Sequence, residues 1–426
     1  MKSYCHWWFL AALAVLPGCE NNRTSSSSST VTSVSSASGS RTVVSVNGAT
    51  VFQAPQLEAS SSVSKTEAIA ATTQLLEIEN TMGPVRVIGT ESGATEWTWK
   101  ITAHAETEER ARQAVAEAVC RVEVVGHRLR LVVTLPEARN VRRDYDDGAG
   151  NSMHVSMPEV QFESELIVHA PIAASVVTTN HYAATEISGL TGNADATGQS
   201  GPVDIRNVRG TVKATTSYAN LKVVNTGAAT LKNQSGPIDA TDVHGGLNAE
   251  TSYAALTAVN VDGAVRLRDN SGSVHVTNAG AADVQTSYAD LRVADIRGDV
   301  DLADNSGRID GRGITGSVNA RTSYANLDIS AAGSKIVCIN QSGPIAVQAT
   351  GKLATLEATT SYAGLEVRLP AKLQPAVTAH TSYAEVESDF PVLLKPKGQD
   401  PFADTAPGTP RISLQNQSGG IRILGE

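Results

Sequence analysis

Serine, tyrosine and carboxylate residues recur in this chain at spacings regular enough to ask what chemistry they could do. Ser-Tyr-Ala occurs at Ser217, Ser252, Ser287, Ser323, Ser361 and Ser382, and His181-Tyr182-Ala183 is a variant of it. A serine nucleophile needs a base, and no histidine stands at a fixed spacing from any of these serines. A turn, by contrast, demands the same small polar residue every time it recurs. Asp290, Asp328 and Glu366 occupy similar places in successive repeats, mixed with Lys222 and Arg292. Clustered acids with Arg or Lys could serve a polysaccharide-cleaving enzyme, but this mixture reads as a solvated face. Asp144-Tyr145-Asp146-Asp147 offers three acids in four residues, without the spacing of a calcium loop. There is no phosphate loop, His-Glu-x-x-His, Cys-x-x-Cys or Gly-x-Ser-x-Gly. The sequence therefore predicts no enzyme, no catalytic residues, no cofactor and no metal site.

Tyr182, Tyr218, Tyr253, Tyr288, Tyr324 and Tyr362 are 35 to 38 residues apart, and Tyr383 follows out of phase. Between them runs Asn/Asp-Gln/Asn-Ser-Gly, at Asn233, Asp269, Asp304, Asn340 and Asn416, with Gln199-Ser200-Gly201 as a first copy. Each Ser-Gly falls 17 or 18 residues after the preceding tyrosine. Gly192, Gly210, Gly227, Gly245, Gly263, Gly280, Gly298, Gly316, Gly333 and Gly351 keep the same 17 or 18 residue step. The unit reads turn, alternating strand, Gly turn, alternating strand. So short a unit cannot bury a face alone and must stack on its neighbours. The expectation is an all-β parallel β-solenoid over 171–389, roughly twelve coils and on the order of 60 Å long at about 4.8 Å per coil. Pro202, Pro237 and Pro344 mark strand starts or corners.

The period of two puts Ala219, Leu221 and Val223 inside and Tyr218, Asn220 and Lys222 outside. Seven of the nine tyrosines thus form one outward or corner stripe. Two roles fit it. Each ring could lie over the glycine of the adjacent coil and shield its backbone. Alternatively the stripe is a stacking platform for sugar rings or a surface for a partner.

Residues 72–170 predict a small strand–helix–strand domain ahead of the repeats. Leu76–Asn80 and Val85–Gly89 alternate around Met82-Gly83-Pro84. Trp97, Trp99, Ile101 and Ala103 share one strand face, which predicts core. Thr107 caps a helix with Ala111, Ala114, Val115, Ala118 and Val119 on one side. A hairpin follows around Gly126-His127, then an irregular insertion over 137–158. Residues 390–426 read as a proline-rich loop and a terminal strand, Ile412 to Leu424, capping the open end. Cys120 and Cys338 should be far apart and unpaired.

The first 18 residues have a positive start and a short apolar run, as an export signal does. Leu16-Pro17-Gly18-Cys19 resembles the lipobox of bacterial lipoproteins, with Pro17 as a departure from the commoner Ala or Ser. That resemblance implies lipid on Cys19, a membrane partner through the anchor, and a cell-envelope location. Glu20 in place of Asp points to the outer rather than the inner membrane. Residues 19–71 are rich in Ser and Thr, with Ser25 to Ser29 in one run, and predict a disordered tether. The net charge of −9 gives no electrostatic footprint for nucleic acid. Four cysteines make no disulfide scaffold.

The order of lipobox, tether, strand–helix–strand domain, Gly-periodic strands, Ser388-Asp389-Phe390-Pro391 and a terminal Ser-Gly-Gly-Ile-Arg-Ile resembles the bacterial "putative adhesin" family. The resemblance covers about 72–426 and implies a cell-envelope location and, by the family's name, an adhesin. With no catalytic motif found, the expectation is a non-catalytic, surface-exposed adhesin or scaffold, with a cell-surface glycan or protein as the partner of the tyrosine stripe. Two other readings stay open: a glycan-acting envelope enzyme on a β-helix, and a regulatory envelope-stress lipoprotein.

Overall fold

A computed structural model describes residues 59–69, 73–137, 139–146, 152–393, 400–403 and 405–426, together with short strands between residues 34 and 53. Residues 1–18, read as an export signal, Cys19 and the serine run lie outside the described residues. The chain divides into two compact units. In the smaller, Val34–Ser35 pairs with Ser40–Arg41, Val43–Val46 pairs antiparallel with Ala49–Gln53, and Asn140–Asp146 pairs with Ser152–Pro158. The 137–158 insertion therefore holds a strand pair rather than irregular chain. The side chains of Asp144, Tyr145 and Asp146 lie outside the described residues.

In the larger unit the coils stack in parallel along two faces, a first and a second sheet. Most coils place a separate strand on each face, and Leu256–Arg268 and Ser273–Gln285 each run through the corner as one strand that pairs on both. In the first sheet Val212–Thr216, Ala229–Asn233 and Leu247–Glu250 follow one another in register. In the second, Leu221–Thr226 lies beside Ile238–Val243, which lies beside Leu256–Arg268. This is the all-β solenoid expected from the repeat. Inward residues alternate as the period of two requires: Leu221, Val223, Leu231, Ile238 and Ala240 are fully buried. Burying each large side chain contributes roughly 1.5–3 kcal/mol. Small residues such as Ala214, Ala240, Ala249 and Ala258 keep the two sheets close, so few aromatics fit.

The glycine series closes one corner. A Cβ on Gly298 would sit 2.5 Å from the Gly280 carbonyl oxygen, and Gly210, Gly227, Gly263, Gly280, Gly316 and Gly333 likewise press on the glycine carbonyl of the coil before. Ahead of this corner the backbone turns left-handed at Asn207, Asn225, Asp242, Asn260, Asn278 and Asp295, with φ between 54° and 57°. Asn and Asp tolerate that region best after glycine, and Gly189 and Gly313 hold the same place. Their side chains form a ladder of their own: Asn225 Nδ2 donates to Asn207 Oδ1 at 2.7 Å, and Asn278 Nδ2 to Asn260 Oδ1 at 3.0 Å. The sequence reading missed this row. Its signal is an Asn or Asp, a buried residue that is apolar except at Thr226, and then the corner glycine with at most one residue between.

Chain order and spatial order part at both ends. Leu75–Asn80 and Val85–Thr90 are not a preceding domain but a full coil. They lie between the coil of Ser175–Asn180 and Thr185–Leu190 on one side and the strands Arg128–Thr134 and Val160–Pro171 on the other. Past these, Thr95–Ala105 runs antiparallel to Val160–Pro171, and Val119–Val125 antiparallel to Arg128–Thr134. The helix Glu108–Glu117 is capped by Thr107, whose hydroxyl accepts from the Arg110 N–H at 3.2 Å. It buries Ala111, Ala114 and Val115, whereas Ala118 and Val119 fall beyond its end. Trp97 and Trp99 are core, as expected.

Part of the stretch read as tether is also sheet. Ala59–Ile69 pairs antiparallel with Thr95–Ala105. It is held by its backbone ladder and by hydroxyl pairs such as Ser62 with Thr102 at 2.9 Å. Most of its side chains are exposed, so it carries no apolar period to read.

At the other end Arg411–Asn416 and Ile421–Gly425 do not cap the solenoid. They insert between the coil of Thr355–Thr360 and Leu365–Leu369 and the coil of Ala376–His380 and Val386–Ser388. The last coil in space is thus 376–388, with Phe390 and Val392 packed against it. Cys120 and Cys338 are free. Burial raises the Cys120 thiol to about 11 and that of Cys338 to about 12.

Candidate functional site, the tyrosine edge

The turns that join the first sheet to the second stack along one edge, and the tyrosines lie there. Two kinds of turn alternate. In one, Asn233 is buried and ties its own loop to the coil before: its Nδ2 donates to the Ala219 carbonyl of that coil at 2.7 Å and to the Pro237 carbonyl at 3.2 Å, and its Oδ1 accepts from the Gly236 N–H at 3.0 Å. Asn340 repeats all three bonds, and Asn416 repeats the first and the last, to the Ala363 carbonyl and from the Gly419 N–H. In the other, the buried residue is threonine. Thr251 Oγ1 donates to the Gly236 carbonyl at 3.4 Å and Thr322 Oγ1 to that of Gly307 at 3.2 Å. The Asn-x-Ser-Gly motif and the Thr that precedes Ser-Tyr-Ala therefore hold the turns.

The register settles what each tyrosine faces. Thr216 lies beside Asn233, and the ladder continues through the turn, with the Ser235 N–H donating to the Ser217 carbonyl at 2.8 Å. Tyr218 therefore lies beside Ser235 and Ala219 beside Gly236. The same backbone bond joins Ser200 to His181, Ser271 to Ser252, Ser306 to Ser287, Ser342 to Ser323 and Ser418 to Ser361. Along the edge the row alternates Tyr and Ser, and the next row alternates Ala and Gly. Thus the glycines meet the alanine backbone rather than the tyrosine rings. A Cβ on Gly201, Gly236, Gly272, Gly307, Gly343 or Gly419 would overlap the carbonyl oxygen of that alanine.

The rings themselves face outward. Tyr218 is 62% exposed, Tyr288 67%, and Tyr182, Tyr253, Tyr324, Tyr362 and Tyr383 are exposed as well. Gln234, Asn270, Asn305 and Gln341 are exposed in the intervening turns. Coils stack at about 4.8 Å, so successive rings recur at about 9.6 Å. Met82, in the inserted coil next to that of Tyr182, occupies the serine place and is 45% exposed.

The acids suspected on sequence lie on the outer face of the second sheet. Asp328 is bridged to Arg308 at 2.7 Å and Glu366 to Arg368 at 2.7 Å. Arg292 lies in register beside Asp310, and Lys222 beside Asp204 and Asp239. Exposed pairs of this kind contribute little to stability. Across the first sheet a groove of about 600 Å³ is lined by Arg266, Asp283, Asp299, Asp301, Arg321 and Lys335, charges of both signs. Among the described residues no three His, Cys, Asp or Glu side chains gather into a metal-binding group.

No family model matches the chain, and no curated protein matches it. Among solved structures it is similar to a putative cell adhesion protein from Clostridium sporogenes ATCC 15579, at 8% identity and a TM-score of 0.17, covering 86% of this chain and 100% of that one. It is also similar to a putative adhesin from Bacteroides fragilis NCTC 9343, at 8% identity and a TM-score of 0.18, covering 85% and 97%. The fold assignment rests on the chain's own strand ladders.

Proposed function

We propose that this chain is an exported, non-catalytic protein of the cell envelope, anchored by lipid at Cys19 in the outer membrane, in which the solenoid presents the tyrosine edge as an adhesive surface. The observation that carries this reading is the constancy of the edge. The Tyr/Ser alternation holds from Tyr182 to Tyr383 even where chain order is broken. A turn needs a small polar residue, and nothing in turn geometry needs a large exposed ring. Mixed, paired charge on the outer face of the second sheet supports a solvated surface there.

Two measurements test it. Mass spectrometry of the mature N-terminus should find an acylated Cys19, and an unmodified soluble product would refute the anchor. Beads coated with the purified protein should adhere to cells or to extracted cell-surface material. The Tyr253/Tyr288/Tyr324→Ala triple variant should lose most of that adhesion while keeping its fold. Undiminished adhesion would show that the edge is not the contact surface.

A further inference from the structure

The tyrosine edge specifies more than stickiness, because its period is fixed by the backbone. We infer that its ligand is an uncharged, extended, β-linked polysaccharide lying along the solenoid axis, one tyrosine to every two sugar units. This rests on the reading of the edge as a contact surface.

Three observations point to that class. First, rings recur every second coil, at about 9.6 Å. In an extended β-1,4-linked chain each pyranose is flipped relative to the next, so the same face returns every second sugar, after a distance close to this spacing. An α-linked chain coils and loses step with a straight row. Second, the rings stand out from the surface, more than half exposed at every position. A protruding flat ring suits the flat C–H face of a pyranose. Third, the groups between the rings are hydroxyls and amides. Ser235, Ser271 and Ser306 fall between tyrosines in the row, with exposed Gln234, Asn270 and Asn305 beside them. These groups can bond sugar hydroxyls and offer no charge to an ionic ligand. A polyproline II peptide also has a similar period, with a turn of about 9.3 Å. Such peptides dock in grooves lined by aromatics, whereas these rings form a ridge.

The test uses the full chain and neutral oligosaccharides of increasing length: cello- and chito-oligosaccharides, with malto-oligosaccharides as the α-linked control and a proline-rich peptide as the competing class. By calorimetry or glycan array, affinity for the β-linked series should rise with each added pair of sugars. The Tyr253/Tyr288/Tyr324→Ala variant should lose at least tenfold, and the corresponding Tyr→Phe variant should retain most of the binding. Three results would overturn the inference: no β-linked binding, equal binding of the α-linked or proline-rich probe, or binding that is indifferent to the triple substitution. Loss of bead adhesion in the triple variant without any β-glycan binding would sink the glycan inference and leave the adhesive edge standing. Unchanged adhesion would remove both.

Discussion

Tyr362 and Tyr383 stand two coils apart because the C-terminal strands pass between the coils that carry them. The Ser418 N–H donates to the Ser361 carbonyl at 2.8 Å, and the Ser382 N–H donates to the Gln417 carbonyl at 3.0 Å. The one place where the tyrosine period fails in sequence is therefore a place where it holds in space.

That arrangement makes the last residues structural rather than peripheral. Truncation after Pro410 removes the partner of both Thr355–Thr360 and Ala376–His380. Limited proteolysis should then cut rapidly within 371–393, and the Tyr383 coil should detach. A terminal cap would merely fray, leaving 371–393 as resistant as in the intact chain.

The alternation of turns sets the deletable unit. Removing 235–270 excises two coils and joins Gln234 to Ser271, like with like, so a shorter folded solenoid should result. Removing 218–234 takes out fewer residues but sets two Ser-Gly turns side by side and discards the Asn233 bonds. The smaller deletion should melt at the lower temperature. The reverse order would mean that the two-coil repeat is not the cooperative unit.

Asp269 occupies the place where Asn233, Asn340 and Asn416 donate an amide N–H to a backbone carbonyl. It is 6% exposed, and its carboxylate has only the loosely placed backbone N–H groups of Asn270 and Ser271 near it, with no well-formed hydrogen bond. Burial raises it from 3.8 to about 6, against the smaller pull of the Asn270 and Ser271 backbone N–H groups. Its folded value lies above its unfolded value. The stability it contributes is therefore complete below pH 3.8 and is lost as pH rises through about 6. Asp269→Asn should restore the amide bond to Ala254. The gain in stability at pH 7.5 should be on the order of 1–2 kcal/mol, and smaller at pH 4.5. Urea melts at the two pH values measure the difference, and an equal effect at both would rule out the titration.

Ring and glycine should differ in what they hold up. Tyr288→Ala removes an exposed ring and should shift stability by no more than about 0.5 kcal/mol. Gly236→Ala drives a methyl into the Ala219 carbonyl and should cost about 1–3 kcal/mol. Gly364→Ala, with open space around its Cβ position, provides the control. Thermal melts of the three variants separate packing from binding at this edge.

Much of this protein is decided by local spacing. A parallel solenoid repeats the same environment at every coil, so Leu221, Ile238 and Leu256 fall in one buried row. The corner glycines and Ser-Gly turns are visible for the same reason, since each must fit against its own counterpart one coil away. The outward direction of Tyr218 follows from the strand period alone. Chain order carries no such information about insertion. A strand pair bonds equally well above or below any coil that matches its register. Only the complete set of ladders shows Leu75–Thr90 and Arg411–Gly425 threaded one coil in from the ends. Whether tyrosine faces serine or glycine was likewise beyond the sequence, because a one-residue change of register exchanges them. The backbone bond from Ser235 to Ser217 fixes it.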